Sequence, residues 1–563
     1  MNLTAPLIVQ SDLEILVEVD NPAYVDARDD IAPFTELIKS PEHLHTYRIS
    51  HLSLWNAASV GLDSDEVVAR LEKWSKYPLP SAVVHEVRTY MDRYGALRLV
   101  ARDDGRVFLE SEDPLLVEQA YRIAKAKPHF LGKPGGNALE VKPEARGLVK
   151  MELAKADYPV EDLVGYVEGE PLEIGLREKQ LLRGGDFSLR DYQREAAAVF
   201  WASGAARGGS GVVVLPCGAG KTIVGIVAMS LVKSKTLILV PNVTAARQWI
   251  DELVDKTTLT RDDVKEYSGE RKEIGPVTVA TYQINTRRTG FDKDGNPLYE
   301  HFEIFGKNRW GLIVYDEVHM LPAPVFSKSA QMQATRRLGL TATLVREDGR
   351  ETDVFSLIGP KKFDLPWKTL EAQGWIASAV CHEVRVPLDE PLRTVYSTAE
   401  GREQSAIAAT NPAKEEVVRE LLEKHSAPDD RVIVIGRLLS QLEKVSANLG
   451  LPLITGSTPE AKRKELYDRF RDGDLKRLVL SNVGNFALDL PDANVLIQIS
   501  GTFGSRQEEA QRLGRVLRPK KGGGNAYFYT LVSRDTCEQK FAMNRQRFLA
   551  EQGYQYDIVD MDE

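Results

Sequence analysis

Glycine, lysine and threonine residues stand together where a short apolar run gives way to an apolar helix. The run Val212–Leu215 is followed by Pro216, Cys217, Gly218, Ala219, Gly220, Lys221 and Thr222. Glycines let backbone N–H groups turn inward and hold phosphate oxygens at a helix N-terminus. In such a loop Lys221 reaches the β- and γ-phosphates of ATP, and the Thr222 hydroxyl binds Mg²⁺. The usual pattern has Gly where this chain has Leu215, and a chance glycine-rich turn is the alternative.

Two adjacent carboxylates end another apolar run, about 95 residues after the glycine-rich loop. The run Leu312–Tyr315 leads into Asp316, Glu317 and, two residues later, His319. If this run is a strand that ends beside the phosphate-binding loop, Asp316 can hold Mg²⁺ through water, and Glu317 can orient and deprotonate the attacking water. An isolated Asp-Glu pair is usually just solvated, but its position after a phosphate-binding loop favours ATP hydrolysis.

Two arginines lie near the C-terminal end on a predicted helix. Arg515 and Arg518 are three residues apart within 511–518 and therefore share a helix face. Across a cleft between two lobes they can act as arginine fingers on charge developing at the γ-phosphate; taken singly, they would be surface charges. The small-residue strand end at 339–343 can couple a nucleotide site to a polynucleotide. A motor that closes two lobes on ATP needs both sets of residues.

Short β-branched runs alternate with helical stretches and would position these residues. The first series is Val212–Leu215, Thr236–Val240, Val277–Ala280, Leu312–Tyr315 and Arg337–Leu340. The second series is Val432–Ile435, Leu478–Ser481, Val495–Ile499 and Tyr527–Leu531. Buried-strand patterns separated by helices predict an α/β fold with two tandem RecA-like, doubly wound parallel-sheet lobes, preceded by small helical and α+β accessory domains.

The region before the first lobe carries no chemical motif. Its first ~95 residues look helical, and Asp63 and Glu66 are spaced as a capping box before an apolar-periodic run. A winged-helix-like module that touches DNA and a helical scaffold are both compatible with this pattern. The Gly- and Pro-rich stretch from Pro128 to Pro143 predicts a loop or linker beside a small α+β unit.

Composition narrows the class of protein. The chain has 563 residues, 43% hydrophobic and 28% charged, so three or four globular domains are expected. No run approaches the ~20 apolar residues that span a bilayer, and the acidic N-terminal segment is unlike a secretory signal. Three widely spaced cysteines fit a reducing cytoplasm. The net charge of −9 argues mildly against a nucleic-acid binder, although residues 506–547 are locally basic.

Together these strings resemble the XPB-type DNA helicase family of superfamily 2, in a bacterial or archaeal branch. The resemblance rests on the motifs above and on four further segments whose sequences are similar to motifs of this family: 189–193, 346–348, 411–414 and 504–518. It implies that Gln193 senses adenine, that Arg346, Glu347 and Asp348 form an Arg-Glu-Asp motif linked to DNA opening, and that Asp489 contacts the ribose. It also places Arg247, Thr281 and Gln283 in or beside strand-contacting motifs.

The resemblance further implies a division of the chain. Residues 1–95 would be an N-terminal accessory domain, 96–184 a damage-recognition-like α+β domain with a linker, 185–363 the first lobe and 364–563 the second. A thumb-like insertion would occupy about 387–410.

One motif differs from the corresponding motif in eukaryotic members of this family. The chain has Val483-Gly484-Asn485-Phe486-Ala487 where a carboxylate and two hydroxyls are usual. Phe486 can stack on a base, as aromatic residues do in single-strand grooves, and a core phenylalanine is the alternative.

The hypothesis is an ATP- and Mg²⁺-dependent DNA helicase or translocase, with 3′–5′ polarity implied by the family. It would act in DNA repair or duplex opening on single-stranded or forked DNA, in the cytoplasm and at the nucleoid, with a nuclease or repair protein as partner. The alternatives are an RNA helicase, because backbone contacts carry no base identity, and an ATP-dependent platform or double-strand translocase with little processive unwinding.

Overall fold

The structure is a computed structural model. It describes the chain except for residues 1, 40–42, 143–144, 165–168, 183, 206–207, 217, 288, 292–296, 299–300, 302–304, 306–307, 322–335, 343–350, 482–492, 502–524, 553, 555 and 562–563. The chain divides into two compact units. The first contains Met1–Glu36, Tyr47–Leu215 and Gly220–Asp364, and the second contains Leu37–Thr46, Pro216–Ala219 and Leu365–Glu563.

The N-terminal region contains strands as well as helices, so the expectation of a helical module was incomplete. Its elements are β1 Leu7–Val9, β2 Glu14–Glu18, α1 Tyr24–Ile31, β3 Glu36–Lys39, β4 Leu44–Arg48, α2 His51–Ser59, α3 Ser64–Trp74 and α4 Ser81–Arg93. Strands β1 and β2 pair in antiparallel fashion. In β2 buried and half-buried residues alternate with the period of two that a half-buried strand requires. The predicted capping box is confirmed, because Asp63 and Glu66 each bond the other's backbone N–H.

A five-stranded mixed sheet follows. Its elements are β5 Leu97–Ala101, β6 Val107–Glu110, α5 Pro114–Arg122, β7 Phe130–Gly135, β8 Ala138–Val141, α6 Arg146–Ala154 and β9 Val160–Asp162, with strand order β7-β8-β6-β5-β9. The Gly- and Pro-rich stretch predicted as a loop therefore contains the antiparallel pair β7 and β8. Gly136, with φ of 75°, provides the left-handed residue of the turn between them.

A seven-stranded parallel sheet organises the first lobe. Its elements are α7 Asp191–Trp201, β10 Ser210–Val214, α8 Lys221–Val232, β11 Thr236–Val240, α9 Val243–Lys256, β12 Val264–Tyr267, β13 Val277–Thr281, α10 Tyr282–Thr286, β14 Gly290–Phe291, β15 Pro297–Leu298, β16 Leu312–Asp316, β17 Arg336–Thr341, α11 Glu351–Leu357 and β18 Lys361–Asp364. The strand order is β12-β13-β11-β16-β17-β10-β18, and β14 pairs with β15 separately. Val212, Val214, Ile313 and Tyr315 belong to its buried core.

The edge strand of this sheet receives a side chain from the N-terminal region. Strand β18 pairs in parallel with β10, which leads into the glycine-rich loop. The backbone N–H of Lys361, at the start of β18, donates to Asn56 Oδ1 of α2 at 2.9 Å. Trp55, next to Asn56, packs near Phe355 of α11 with ring centroids 6.1 Å apart. Helix α2 therefore covers part of the sheet edge.

A second seven-stranded parallel sheet organises the second lobe. Its elements are α12 Trp367–Ala372, β19 Ala379–Val386, α13 Glu390–Thr398, α14 Arg402–Ala409, α15 Ala413–Lys424, β20 Val432–Gly436, α16 Leu439–Leu449, β21 Leu453–Ile454, α17 Glu460–Asp472, β22 Arg477–Ser481, β23 Val495–Gln498, β24 Ala526–Ser533, α18 Cys537–Glu551 and β25 Tyr556–Asp560. The strand order is β21-β22-β20-β23-β24-β19-β25.

The two parallel sheets confirm the predicted fold class. Strands β11, β13 and β20 are buried at every position, as expected for parallel strands covered on both faces. Within the described part of the chain, no helix is long and apolar enough to cross a membrane.

Candidate active site

The glycine-rich loop joins β10 to α8. Leu215, after the end of β10, donates its backbone N–H to the carbonyl of Thr341 at 3.0 Å, which ties the loop's start to the end of β17. Gly218 and Gly220 have φ of 81° and 80°, a left-handed conformation that favours glycine. Pro216, Gly218 and Ala219 lie in this loop, and Lys221 and Thr222 open α8; Cys217 lies outside the described residues.

Gly220 is crowded by the predicted adenine-sensing residue. A Cβ at position 220 would lie 2.5 Å from Gln193 Nε2. Gln193 is buried in the first turn of α7, and its Oε1 accepts the backbone N–H of Arg190 at 3.1 Å. The structure therefore brings Gln193 to the start of α8, and a side chain at position 220 would both displace the Gln193 amide and need a left-handed φ.

The predicted base lies beside the lysine of the loop. Lys221 Nζ is 3.3 Å from Glu317 Oε1, and both side chains are largely buried. Glu317 Oε2 lies 3.5 Å from His319 Nδ1, which in turn is 2.7 Å from Thr341 Oγ1. Glu317 itself has φ of 48° and ψ of 55°, a left-handed conformation that is uncommon for residues other than glycine. The turn after β16 thus aims the Glu317 carboxylate at the N-terminus of α8.

Three groups hold Asp316, the last residue of β16. Its Oδ2 accepts the indole N–H of Trp249 at 2.9 Å, and its Oδ1 accepts the backbone N–H of Glu317 at 3.1 Å. Its backbone carbonyl accepts the hydroxyl of Tyr282 at 2.6 Å. The carboxylate is therefore held through both of its oxygens, and the backbone of the same residue is held by Tyr282.

The two carboxyls differ in proton affinity. Burial, with a further contribution from the Glu317 charge, raises the pKa of Asp316 to about 6. Burial would also raise the pKa of Glu317, but the charges of Lys221 and His319 outweigh it and hold this pKa below its ordinary value. Glu317 is consequently the more easily ionised group of the pair, as a base that accepts a proton from water must be.

Sequence reasoning missed Trp249, Tyr282 and Gly225. A Cβ at Gly225 of α8 would lie 2.5 Å from Cη2 of Trp249, so this glycine makes room for the indole. None of the three belongs to a pattern of charged or glycine-rich residues. Their role depends on tertiary contacts, and only the alignment of three elements in space reveals it.

The predicted strand-contacting residues occupy different environments. Arg247, on α9, forms an ion pair with Glu270 and lies 3.7 Å from Glu266. Thr281 is buried at the end of β13, and Gln283 is exposed in α10. Several predicted residues lie outside the described part of the chain: Arg346, Glu347, Asp348, Phe486, Asp489, Arg515 and Arg518.

The segment 411–414 in the second lobe, one of those similar to family motifs, makes buried contacts that stabilise the fold. Lys414 is 1% exposed, and its Nζ lies 2.6 Å from Glu538 Oε2 and 3.2 Å from the carbonyl of Ile499. Asn411 donates from Nδ2 to the carbonyl of Pro387 at 3.0 Å. Lys414 thereby connects α15 with α18 and with the residue that follows β23.

Comparison with known proteins decides the family. Residues 370–563 match the family described as ERCC3/RAD25/XPB C-terminal helicase, 186–346 match the type III restriction enzyme res subunit family, and 7–133 match a family described as a helicase conserved C-terminal domain. The chain is 52% identical over 558 residues to the DNA 3′-5′ helicase XPB of Mycobacterium tuberculosis, covering 99% of this chain and 98% of that protein. The chain belongs to the XPB family of DNA helicases.

Other XPB relatives agree along almost the whole chain. The DNA 3′-5′ helicase XPB of Kineococcus radiotolerans is 52% identical, with 99% of this chain and 97% of the relative covered. The general transcription and DNA repair factor IIH helicase/translocase subunit XPB/SSL2 of Saccharomyces cerevisiae is 31% identical, with 98% and 72% covered. Membership of the XPB family confirms the predicted resemblance and implies that the chain uses a nucleotide.

Proposed function

We propose that this chain is an ATP- and Mg²⁺-dependent DNA helicase or translocase with 3′–5′ polarity. The 3.3 Å contact between Lys221 and Glu317 carries the proposal, because it joins a phosphate-binding cation to a general base at one edge of a parallel sheet. DNA as the substrate and the polarity follow from XPB relatives that are named DNA 3′-5′ helicases.

Each residue of the site receives a role from its position. Lys221 binds the β- and γ-phosphates, and Glu317 takes a proton from the attacking water. Gln193 contacts the adenine. The loop begins at Pro216, which has no backbone N–H, and the residues after it, Cys217, Gly218, Ala219 and Gly220, would present their backbone N–H groups to phosphate oxygens.

Thr222 and Asp316 would hold the magnesium ion. A hydroxyl at the start of α8 and a carboxylate fixed at the end of β16 are the oxygen ligands that Mg²⁺ prefers, directly or through water. When bound, the ion would neutralise charge on the phosphates and help orient them.

The second lobe would complete the machinery. Arg515 and Arg518 would act as arginine fingers, and Asp489 would contact the ribose. DNA contacts are assigned to Arg247, Thr281, Gln283, Arg346, Glu347, Asp348 and Phe486. The same proposal includes the division of the chain into accessory domains at 1–95 and 96–184 and lobes at 185–363 and 364–563, with a thumb-like insertion at about 387–410.

The cellular setting is proposed on similar grounds. Yeast XPB/SSL2 is named as a subunit of a transcription and DNA repair factor, which favours a repair protein or nuclease as the partner here. The protein would work in the cytoplasm and associate with the nucleoid while bound to single-stranded or forked DNA.

The function is tested by measuring ATP hydrolysis by the wild type and by Glu317→Gln. Each is measured without nucleic acid and with single-stranded DNA, duplex DNA or RNA. We expect DNA to stimulate the wild type, and Glu317→Gln to bind ATP yet lose turnover about 10²–10⁴-fold. Glu273→Gln, an exposed carboxylate paired with Lys265, is the matched control and keeps its turnover. Turnover that ignores every nucleic acid, or that survives Glu317→Gln, would favour the ATP-dependent platform; stimulation by RNA alone would favour an RNA helicase.

A further inference from the structure

Two aromatic side chains donate hydrogen bonds to Asp316, the residue proposed to hold magnesium. Trp249, on α9, donates its indole N–H to Asp316 Oδ2 at 2.9 Å. Tyr282, at the start of α10, donates its hydroxyl to the backbone carbonyl of the same residue at 2.6 Å. Neither α9 nor α10 contains the glycine-rich loop or the acidic pair. Asp316 is thus held from two elements that lie outside the nucleotide-binding motifs.

The position of the indole is built into the packing of α8. Trp249 is 1% exposed, and its Cη2 lies where a Cβ of residue 225 would meet it at 2.5 Å. Gly225 lies about one turn after Lys221, so the helix that opens with the phosphate-binding lysine also leaves space for Trp249. A packing tryptophan needs no hydrogen bond to a carboxylate, whereas this one directs its only donor at Asp316.

We propose that Trp249 is a positioning residue for ATP hydrolysis, whose indole N–H fixes the Asp316 carboxylate in the orientation that holds Mg²⁺. The proposal rests on the function proposed above. One oxygen of Asp316 accepts the indole and the other accepts the Glu317 N–H, so rotation of the carboxylate breaks both bonds. Each oxygen keeps a lone pair for a metal-bound water or the metal itself.

Loss of the indole donor weakens metal binding without removing a ligand. Groups that orient a ligating carboxylate typically change metal affinity about 10- to 100-fold when they are replaced. Because magnesium binds with the nucleotide, we expect the effect as a higher Mg²⁺ concentration at half-maximal nucleotide binding. Binding of nucleotide in the absence of Mg²⁺ does not use Asp316 and stays unchanged.

The test compares Trp249→Phe with Trp310→Phe. Trp310 is also buried in the first lobe, and its indole donates to the carbonyl of Phe305 at 2.8 Å. Binding of a fluorescent, non-hydrolysable ATP analogue is measured during a Mg²⁺ titration and again in EDTA. Trp249→Phe should raise the Mg²⁺ midpoint about tenfold and leave binding in EDTA unchanged, whereas Trp310→Phe should change neither.

Two further variants separate orientation from folding. Gly225→Ala crowds the indole but leaves its N–H in place, and it should raise the Mg²⁺ midpoint in the same direction. In an Asp316→Asn background, Trp249→Phe should add nothing, because the carboxylate that it orients is gone. An unchanged midpoint in Trp249→Phe, or an equal rise in Trp310→Phe, overturns the role of Trp249. A wild type that fails to bind the analogue overturns the proposed function instead.

Discussion

Lys221 Nζ lies 3.3 Å from Glu317 Oε1, and the side chains are only 10% and 18% exposed. A buried carboxyl ordinarily binds its proton more tightly, yet the pKa of Glu317 is held below its usual value by the Lys221 charge and by His319. The lysine of the phosphate-binding loop therefore also keeps the proposed base ionised. One cation serves the phosphate site and the water-activating site, so the two cannot be altered independently.

Lys221→Met should weaken ATP binding about 10- to 100-fold and abolish turnover. It removes a charge-assisted contact to phosphate, and it removes the larger of the two charges that offset the effect of burial on the pKa of Glu317. Equilibrium binding of an ATP analogue and steady-state hydrolysis measure the two effects. Lys265→Met, which removes a lysine paired with Asp262 and Glu273, should change neither quantity. Normal hydrolysis by Lys221→Met would contradict the assigned site.

Asp316→Asn should stabilise the protein in EDTA above pH 6. Burial raises the pKa of Asp316 to about 6 from an ordinary value of 3.8, so ionisation costs more in the folded protein than in the unfolded chain. Removing that charge should raise the free energy of unfolding by about 1–3 kcal/mol at pH 8. The gain should shrink as the pH falls from 6 towards 4, because the wild-type carboxyl is then protonated in the folded state.

Thermal unfolding of the wild type and Asp316→Asn between pH 5 and pH 8 tests this dependence. A stabilisation that is equal at both ends of the range would show that Asp316 does not titrate near pH 6. Addition of Mg²⁺ and nucleotide should reverse the order of stability, because only the wild type keeps the carboxylate ligand.

Gly220→Ala should reduce nucleotide affinity about tenfold or more, because a side chain there would need a left-handed φ and would strike Gln193. Gly269→Ala is the matched control: its added Cβ would meet nothing within 4 Å, and its φ lies outside the left-handed range. Calorimetric titration with an ATP analogue measures both. Equal affinities would mean that the close approach of Gln193 to position 220 has no part in nucleotide binding.

Lys414→Ala should destabilise the second lobe by about 3–5 kcal/mol, because it leaves Glu538 buried without its 2.6 Å partner. Lys462→Ala removes an exposed lysine that pairs with Glu465 on α17, and it should cost less than about 1 kcal/mol. Chemical denaturation followed by circular dichroism compares the two variants. Similar losses would indicate that the buried pair contributes no more than the exposed one.

The parts of the fold that the sequence predicted are those with local signals. Buried runs such as Val432–Ile435 and Leu312–Tyr315 became β20 and β16 with ends shifted by about one residue. The antiparallel pairs β1–β2 and β7–β8 were missed because short strands and Gly-rich hairpins resemble helix flanks and loops. Strands β12, β18 and β25 lack long β-branched runs, and pairing with a neighbour defines them.

The site divides in the same way. Lys221 and Glu317 were predicted because their residue types and spacing carry chemistry, and the structure brings them together. Trp249 could not be predicted, because an indole in an amphipathic helix looks like any core residue. Its hydrogen bond requires β16, α8 and α9 to converge, and that convergence depends on the sheet order β11-β16-β17-β10.

The Asn56 side chain accepts a backbone N–H at the edge of a sheet, where a strand of another polypeptide could otherwise form a hydrogen bond. Strand β18 is the last strand of its sheet, and the N–H of Lys361 points to Asn56 where a further strand would bond. Unprotected strand edges recruit neighbouring chains into intermolecular sheets. Versions of the protein that lack α2 should consequently expose this strand edge and self-associate through it more readily than the full chain.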